Sequence, residues 1–134
     1  KGFRRNPDSG SFFGGTNIHR TETYDTDYAI YGDLICPRNF KFSIECKHYK
    51  AAPPLNAILK RKVSQWDKWL LQAIQDAEVS EKKPMMIVKY NNTETMVFLD
   101  EELFGAIDPV FMYGDFYVYL LKEVLSLDDK EFFN

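Results

Sequence analysis

Residues 32–47 read Gly32-Asp33-Leu34-Ile35-Cys36-Pro37-Arg38-Asn39-Phe40-Lys41-Phe42-Ser43-Ile44-Glu45-Cys46-Lys47. This stretch predicts two strands joined by a turn. Asp33 to Cys36 forms the first. Pro37-Arg38-Asn39 turns the chain, since proline presets φ and asparagine tolerates turn geometry. Phe40 to Lys47 forms the second, and the two are expected to pair as a hairpin. The second strand alternates cleanly. Phe42, Ile44 and Cys46 point one way, and Lys41, Ser43, Glu45 and Lys47 the other. Glu45 and Lys47 are therefore neighbours on one face, about 6–7 Å apart along the strand. Asp33, on the paired strand, reaches the same end.

Two carboxylates and an ammonium on adjacent strands suit phosphodiester chemistry. Carboxylate oxygens hold a hard divalent cation such as Mg²⁺ or Mn²⁺. Such an ion polarises a phosphodiester and lowers the pKa of a bound water. The lysine orients that water or offsets developing negative charge. A surface strand with an ordinary Glu/Lys pair is the plainer account of Glu45 and Lys47 alone. Asp33 at hairpin distance, Gly32 before it and the alternation favour the chemical one.

Gly32-Asp33 followed by Ile44-Glu45-Cys46-Lys47 resembles the core motif of PD-(D/E)xK nucleases, and within them is most similar to Holliday junction resolvases of archaeal and phage type. In those, the Asp opens one strand, Glu-x-Lys lies on the next, and a Ser-Gly loop precedes both. Ser9-Gly10, after a short strand at Phe3-Arg4-Arg5, matches that loop. The resemblance spans roughly residues 3 to 90, with specific matches at Ser9-Gly10, Asp33, Glu45 and Lys47. The usual proline before the Asp is Gly32 here. The family's opening helix with its acidic residue is missing from a chain that begins at Lys1, and Ser11–Tyr31 is an insertion relative to the shortest relatives. The resemblance implies an α/β fold with a restriction-endonuclease-like mixed central sheet flanked by helices. It also implies metal binding by Asp33, Glu45 and the backbone carbonyl of Cys46, catalysis by Asp33, Glu45 and Lys47, and a homodimer whose two sites cut paired strands. Nucleases of this superfamily often set a Gln or Lys from the following helix beside the metal. Gln65 is the candidate here.

The chain has 134 residues, 45% hydrophobic and 28% charged, which fits one globular domain with a core of its own. No apolar run approaches the length of a membrane span. No signal peptide is visible, so a cytoplasmic setting in a bacterial, archaeal or phage-infected cell is expected. Cys36 and Cys46 are expected to be two buried thiols in a reducing compartment. A zinc site using Cys36, Cys46 and His48 lacks a fourth convincing ligand. The net charge of −3 hides an asymmetry. Residues 1–62 carry 11 Lys/Arg and 6 Asp/Glu, whereas residues 63–134 carry 6 and 14. The basic half holds the motif, and a local positive face can bind phosphates on an acidic protein. Arg4, Arg5, Ser9, Gly10, His19 and Arg20 are the candidate DNA contacts. Asp27 is a candidate extra metal oxygen, although a solvated acidic turn explains it as well. Lys60-Arg61-Lys62 reads as a solvated run.

Tyr24, Tyr28 and Tyr31 hint at a short helix or an extended lead into Asp33. Pro53-Pro54 ends the motif strand. A helix is predicted from about Ser64 to Glu78, with a capping-box-like start in Ser64 and Asp67 and an apolar face of Trp66, Trp69, Leu70, Ala73, Ile74 and Ala77. The two tryptophans read as core rather than base-stacking platforms. Met85–Tyr90 is a buried strand, Asn91-Asn92 a turn, and Thr95–Leu99 the returning strand. Asp100–Phe104 looks like a capped helical turn, and Phe116–Leu125 is expected to be a helix packed on the sheet. The function expected from these residues is metal-dependent cleavage of DNA, resembling a Holliday junction resolvase. The alternatives are another repair, restriction or phage DNA-processing nuclease, or a nucleic-acid-binding module that keeps the fold without catalysis.

Overall fold

The structure is a computed structural model that describes residues 4–5, 28–31, 34–103 and 106–134. The elements in chain order are β1 (Arg4–Arg5), β2 (Tyr28–Tyr31), β3 (Leu34–Pro37), β4 (Phe42–Tyr49), α1 (Leu55–Leu59), α2 (Ser64–Ser80), β5 (Lys83–Tyr90), β6 (Met96–Leu99), β7 (Phe111–Tyr113), β8 (Phe116–Leu120) and α3 (Leu121–Val124). A 3-10 turn at Asp129–Glu131 follows. Five strands form a mixed sheet in the order β4-β5-β6-β8-β7, and three form a smaller sheet in the order β1-β3-β2. This is the expected α/β architecture. Among the described residues no helix is long and apolar enough to cross a membrane.

The expected β3–β4 hairpin does not form. β3 pairs antiparallel with β2 and with β1, whereas β4 pairs parallel with β5. The segment between them turns, as its composition predicts, with Phe40 N–H donating to Pro37 O at 3.0 Å. It does not bring β4 back onto β3, because Phe40 is drawn into the core against Phe42 and Phe133, with ring centroids 5.8 and 5.2 Å away. The backbone follows. Lys41 N–H donates to Phe132 O at 2.7 Å, and Lys83 N–H donates to Lys41 O at 2.9 Å. Lys82 fastens the same turn, its ammonium donating to the carbonyls of Pro37, Arg38 and Phe40.

Helix α2 is the crossover between the parallel strands β4 and β5. Its buried residues are Trp66, Trp69, Leu70, Ala73 and Ala77, the face that the 3.6-residue period predicts. Trp66, Trp69 and Leu70 pack in one cluster with Met86, Val88, Phe98 and Val118 from the sheet. α2 also packs against β2. The opposite face of the sheet is covered by the C-terminal segment, with Phe42, Ile44, Met85, Leu99, Tyr119 and Val124 in one cluster.

The start of α2 differs from the capping box expected at Ser64 and Asp67. Ser64 is already helical, and the N-cap is Val63, whose side chain cannot cap. Tyr113 of β7 does that work from outside. Its hydroxyl accepts the Val63 N–H at 2.9 Å and donates to Asp67 Oδ1 at 2.6 Å. Burial and the hydrogen bond to Asp67 push the Tyr113 phenol up.

The expected helix at Phe116–Leu125 is instead strand β8 followed by the short helix α3. β8 lies between β6 and β7, so Val118 and Tyr119 are buried on opposite faces. A strand buried on both sides loses the alternation that would identify it. Tyr113 pairs with Phe116, and Gly114, with φ of +57°, takes the first of two turn positions, as a type II′ hairpin turn requires. Asp100-Glu101-Glu102-Leu103 is not the expected helical turn but a bend leading away from β6.

Candidate active site

Strand β4 positions the site through its pleat. Phe42 and Ile44 turn to the C-terminal side of the sheet. Ser43, Glu45, Lys47 and Tyr49 turn to the α2 side, in register with Pro84, Met86, Val88 and Tyr90 of β5. Glu45 is only 1% exposed, Lys47 is half-buried and Tyr49 is exposed. Along this one face the strand therefore climbs from core to solvent. Ser43 is as deeply buried as Glu45, and its Oγ has no hydrogen-bond partner among the described residues.

Lys47 is held by α2. Its Nζ donates to Gln72 Oε1 at 3.1 Å and lies 6.0 Å from the centre of the Trp69 ring. Gln65, the glutamine expected beside the site, has a different partner. Its Oε1 accepts the Tyr90 hydroxyl at 2.7 Å, and that hydroxyl accepts the Trp66 indole N–H at 2.9 Å. Burial pushes the Tyr90 phenol up, against the opposing pull of the Trp66 hydrogen bond. The tryptophans sit in the core, as expected. Trp66 packs edge-on against Phe98 and Tyr113, at 5.2 and 5.1 Å between ring centroids.

Asp33 lies outside the described residues, as do Ser9, Gly10, His19, Arg20 and Asp27. Its neighbour Leu34 pairs with Tyr31 in β2 and with Arg5 in β1. The backbone of Arg4 and Arg5 thus belongs to the same small sheet as the strand that follows Asp33.

The thiols separate. Cys36 is buried, as expected, but Cys46 is exposed, lying farther along β4 than the buried Phe42 and Ile44 of its own face and next on that face to the exposed His48. Burial pushes the Cys36 thiol up to about 11, with nearby Lys82 opposing the rise and Cys46 adding to it. His48 Nε2 pairs with Asn91 Oδ1 at 3.1 Å. Among the described residues no three of His, Cys, Asp and Glu gather to hold a metal ion, so Cys36, Cys46 and His48 do not form a zinc site. Lys60, Arg61 and Lys62 are exposed in the link between α1 and α2.

The donor set on the α2 side of β4 is oxygen-rich and hard. It offers the Glu45 carboxylate and the Ser43 hydroxyl, both deeply buried oxygen donors on one strand face. Mg²⁺ and Mn²⁺ take such ligands, so these residues fit the ion expected from the sequence. Gln72 and Ser43 did not stand out in the sequence. The signal for Gln72 was its spacing of seven from Gln65, which repeats the same helix face two turns on.

The family model described as "Phage putative PDDEXK endonuclease" matches residues 1–123. No curated protein and no solved structure matches the chain. The mixed sheet with its flanking helices is the restriction-endonuclease-like fold of such nucleases. With Glu45 and Lys47 side by side on β4 and the match running through nearly the whole sequence, the chain belongs to the PDDEXK endonuclease family of phage type.

Proposed function

We propose that the protein is a divalent-metal-dependent DNA endonuclease that acts on branched DNA, in the manner of a Holliday junction resolvase. The observation that carries this reading is the fixing of Lys47 by Gln72 and Trp69, on the same strand face as the buried Glu45. Asp33, Glu45 and the Cys46 carbonyl would hold Mg²⁺ or Mn²⁺. When bound, the ion supplies charge stabilisation at the phosphate and a more acidic water. Lys47 brings an ammonium with three donors. Gln72 takes one, which aims the group and leaves it a cation beside the phosphate oxygens. Gln72, rather than Gln65, takes the part of the helix residue that serves the site. Burial of Glu45 withdraws the carboxylate from bulk water and so strengthens its interaction with any cation it meets.

Arg4, Arg5, Ser9, Gly10, His19 and Arg20 would hold the phosphate backbone, with affinity falling steeply as salt rises. A homodimer would bring two such sites to paired strands of one junction, in the cytoplasm of a phage-infected or other prokaryotic cell. The test is cleavage of a four-way junction, a linear duplex and a single strand, each with Mg²⁺, with Mn²⁺ and with chelator. Metal-dependent cutting of the junction ahead of the other two is expected. Preference for linear duplex would assign a restriction or DNA-processing role instead. Binding without cutting of any substrate would leave a nucleic-acid-binding module of the same fold.

A further inference from the structure

Two residues beyond Lys47, the same face of β4 ends in Tyr49. This side chain is 50% exposed, and its ring packs on Trp69 with centroids 5.1 Å apart and planes tilted by 47°. Trp69 is itself only 6% exposed. One buried indole therefore braces both the ammonium of Lys47 and the phenol of Tyr49. Leu55, Leu59, Leu71 and Val79 are also exposed, as single apolar residues commonly are. Tyr49 differs in two ways. It is a flat ring with a rigid support, and it stands in line with the acid and the amine.

We propose that Tyr49 is a stacking platform for an unpaired nucleobase of the cut strand, and that it selects DNA whose bases are unpaired beside the scissile phosphate. The position of that phosphate rests on the nuclease reading above. Tyr49 lies about 6–7 Å past Lys47 along the strand. That distance is close to two stacked base steps of roughly 3.4 Å each. Within a duplex both faces of a base are covered by its neighbours, so only an extruded or unpaired base can offer its face to a ring. Tyrosine stacks on any base, so the selection is for DNA structure and not for sequence. Little ordering is needed on binding, because Trp69 already limits the motion of the ring.

The experiment measures binding with chelator present, so that no strand is cut. The probes are a duplex carrying one unpaired 2-aminopurine nucleotide and a fully paired duplex of the same sequence. The wild-type chain should bind the first more tightly and quench its fluorescence. Tyr49→Ala should bind the unpaired probe about 5- to 150-fold more weakly, the loss expected when one base-stacking ring is removed. Its affinity for the paired duplex should stay within twofold. Tyr49→Phe should keep both the preference and the quenching. Tyr49→Leu keeps an apolar cover on Trp69 without a flat ring, and should behave like Tyr49→Ala even if the latter folds poorly. Retention of the preference by Tyr49→Leu would overturn the proposal, as would its loss in Tyr49→Phe. A wild-type chain that shows this Tyr49-dependent preference yet cuts no DNA with metal would defeat the nuclease reading and leave the stacking one standing. Cutting without the preference would do the reverse.

Discussion

Replacing Gln72 with Leu tests whether α2 serves the reaction through Lys47. Leucine keeps the helix propensity and much of the volume, and removes the carboxamide whose oxygen Lys47 Nζ reaches at 3.1 Å. A hydrogen bond to a charged group is worth about 1.5–3 kcal/mol. Lys47 and Gln72 are both half-buried, so the low end of that range applies. The contact with Trp69, worth about 0.5–1 kcal/mol at a partly exposed site, still restrains the ammonium. A loss of about 1.4 kcal/mol in the transition state lowers kcat roughly tenfold. KM should hold, since in this arrangement Gln72 reaches the substrate only by way of Lys47. The assay is single-turnover cleavage of a labelled junction by wild type, Gln72→Leu, Lys47→Ala and the double variant. Because Gln72 acts through the lysine, the double variant should be no slower than Lys47→Ala. Gln65→Leu serves as comparator. It removes the acceptor of the Tyr90 hydroxyl, so it should cost about 1 kcal/mol of stability and leave kcat within twofold. A Gln72→Leu enzyme as fast as wild type would refute the reasoning, and so would an equal loss with and without Lys47.

Three further predictions concern the frame. Lys82→Met keeps the side-chain length but strips three carbonyls of the β3–β4 turn of their ammonium donor, so urea denaturation should show a loss of about 1–2 kcal/mol. An unchanged midpoint would mean that water replaces the lysine without cost. Glu81 ends α2 in the left-handed conformation at φ 57° and ψ 38°, so Glu81→Gly should raise stability by about 0.5–1 kcal/mol, read from thermal melts; a fall in Tm would contradict the strain argument. The Cys36 thiol, pushed up to about 11 by burial, keeps its proton in the folded chain at pH values where the unfolded chain has lost it. Its contribution is therefore full below about pH 9 and is lost as the pH climbs toward 11. Over that range wild type should lose up to about 3 kcal/mol relative to Cys36→Ala, and a constant gap between the two would contradict it.

The local pattern of the motif strand was legible because alternation is a property of the residues themselves. Ser43, Glu45 and Lys47 do share one face, and Trp66, Trp69, Leu70, Ala73 and Ala77 do form the buried side of α2. Pairing was not legible, since a four-residue strand such as Leu34–Pro37 carries no mark of which neighbour it takes. Here the core chose, by pulling in Phe40 and sending β4 beside β5. Which glutamine of α2 meets Lys47 was not legible, for a geometric reason. Gln65 and Gln72 are seven residues apart and differ by only about 20° around the helix. Periodicity cannot separate them, but their positions along the axis differ by about 10 Å. That axial position follows from how α2 runs back along β4, which is tertiary information. The cap on α2 was hidden likewise, because Tyr113 reaches it from a strand 50 residues away. Phe116–Leu120 was misread because burial on both faces removes the polar positions that signal a strand.

Glu45→Gln is the decisive variant, since it keeps the shape of the side chain and takes away the charge a divalent cation needs. Cleavage of a four-way junction in Mg²⁺ should fall about 100-fold or more, the scale seen when one well-placed electrostatic group is lost. Junction binding in chelator should remain within a few-fold, because phosphate contacts supply most of the affinity. Mn²⁺ binding, followed by calorimetry on the protein alone, should weaken in Glu45→Gln and persist in Lys47→Ala. Cleavage at the wild-type rate by purified Glu45→Gln would remove the α2-facing side of β4 as the active site.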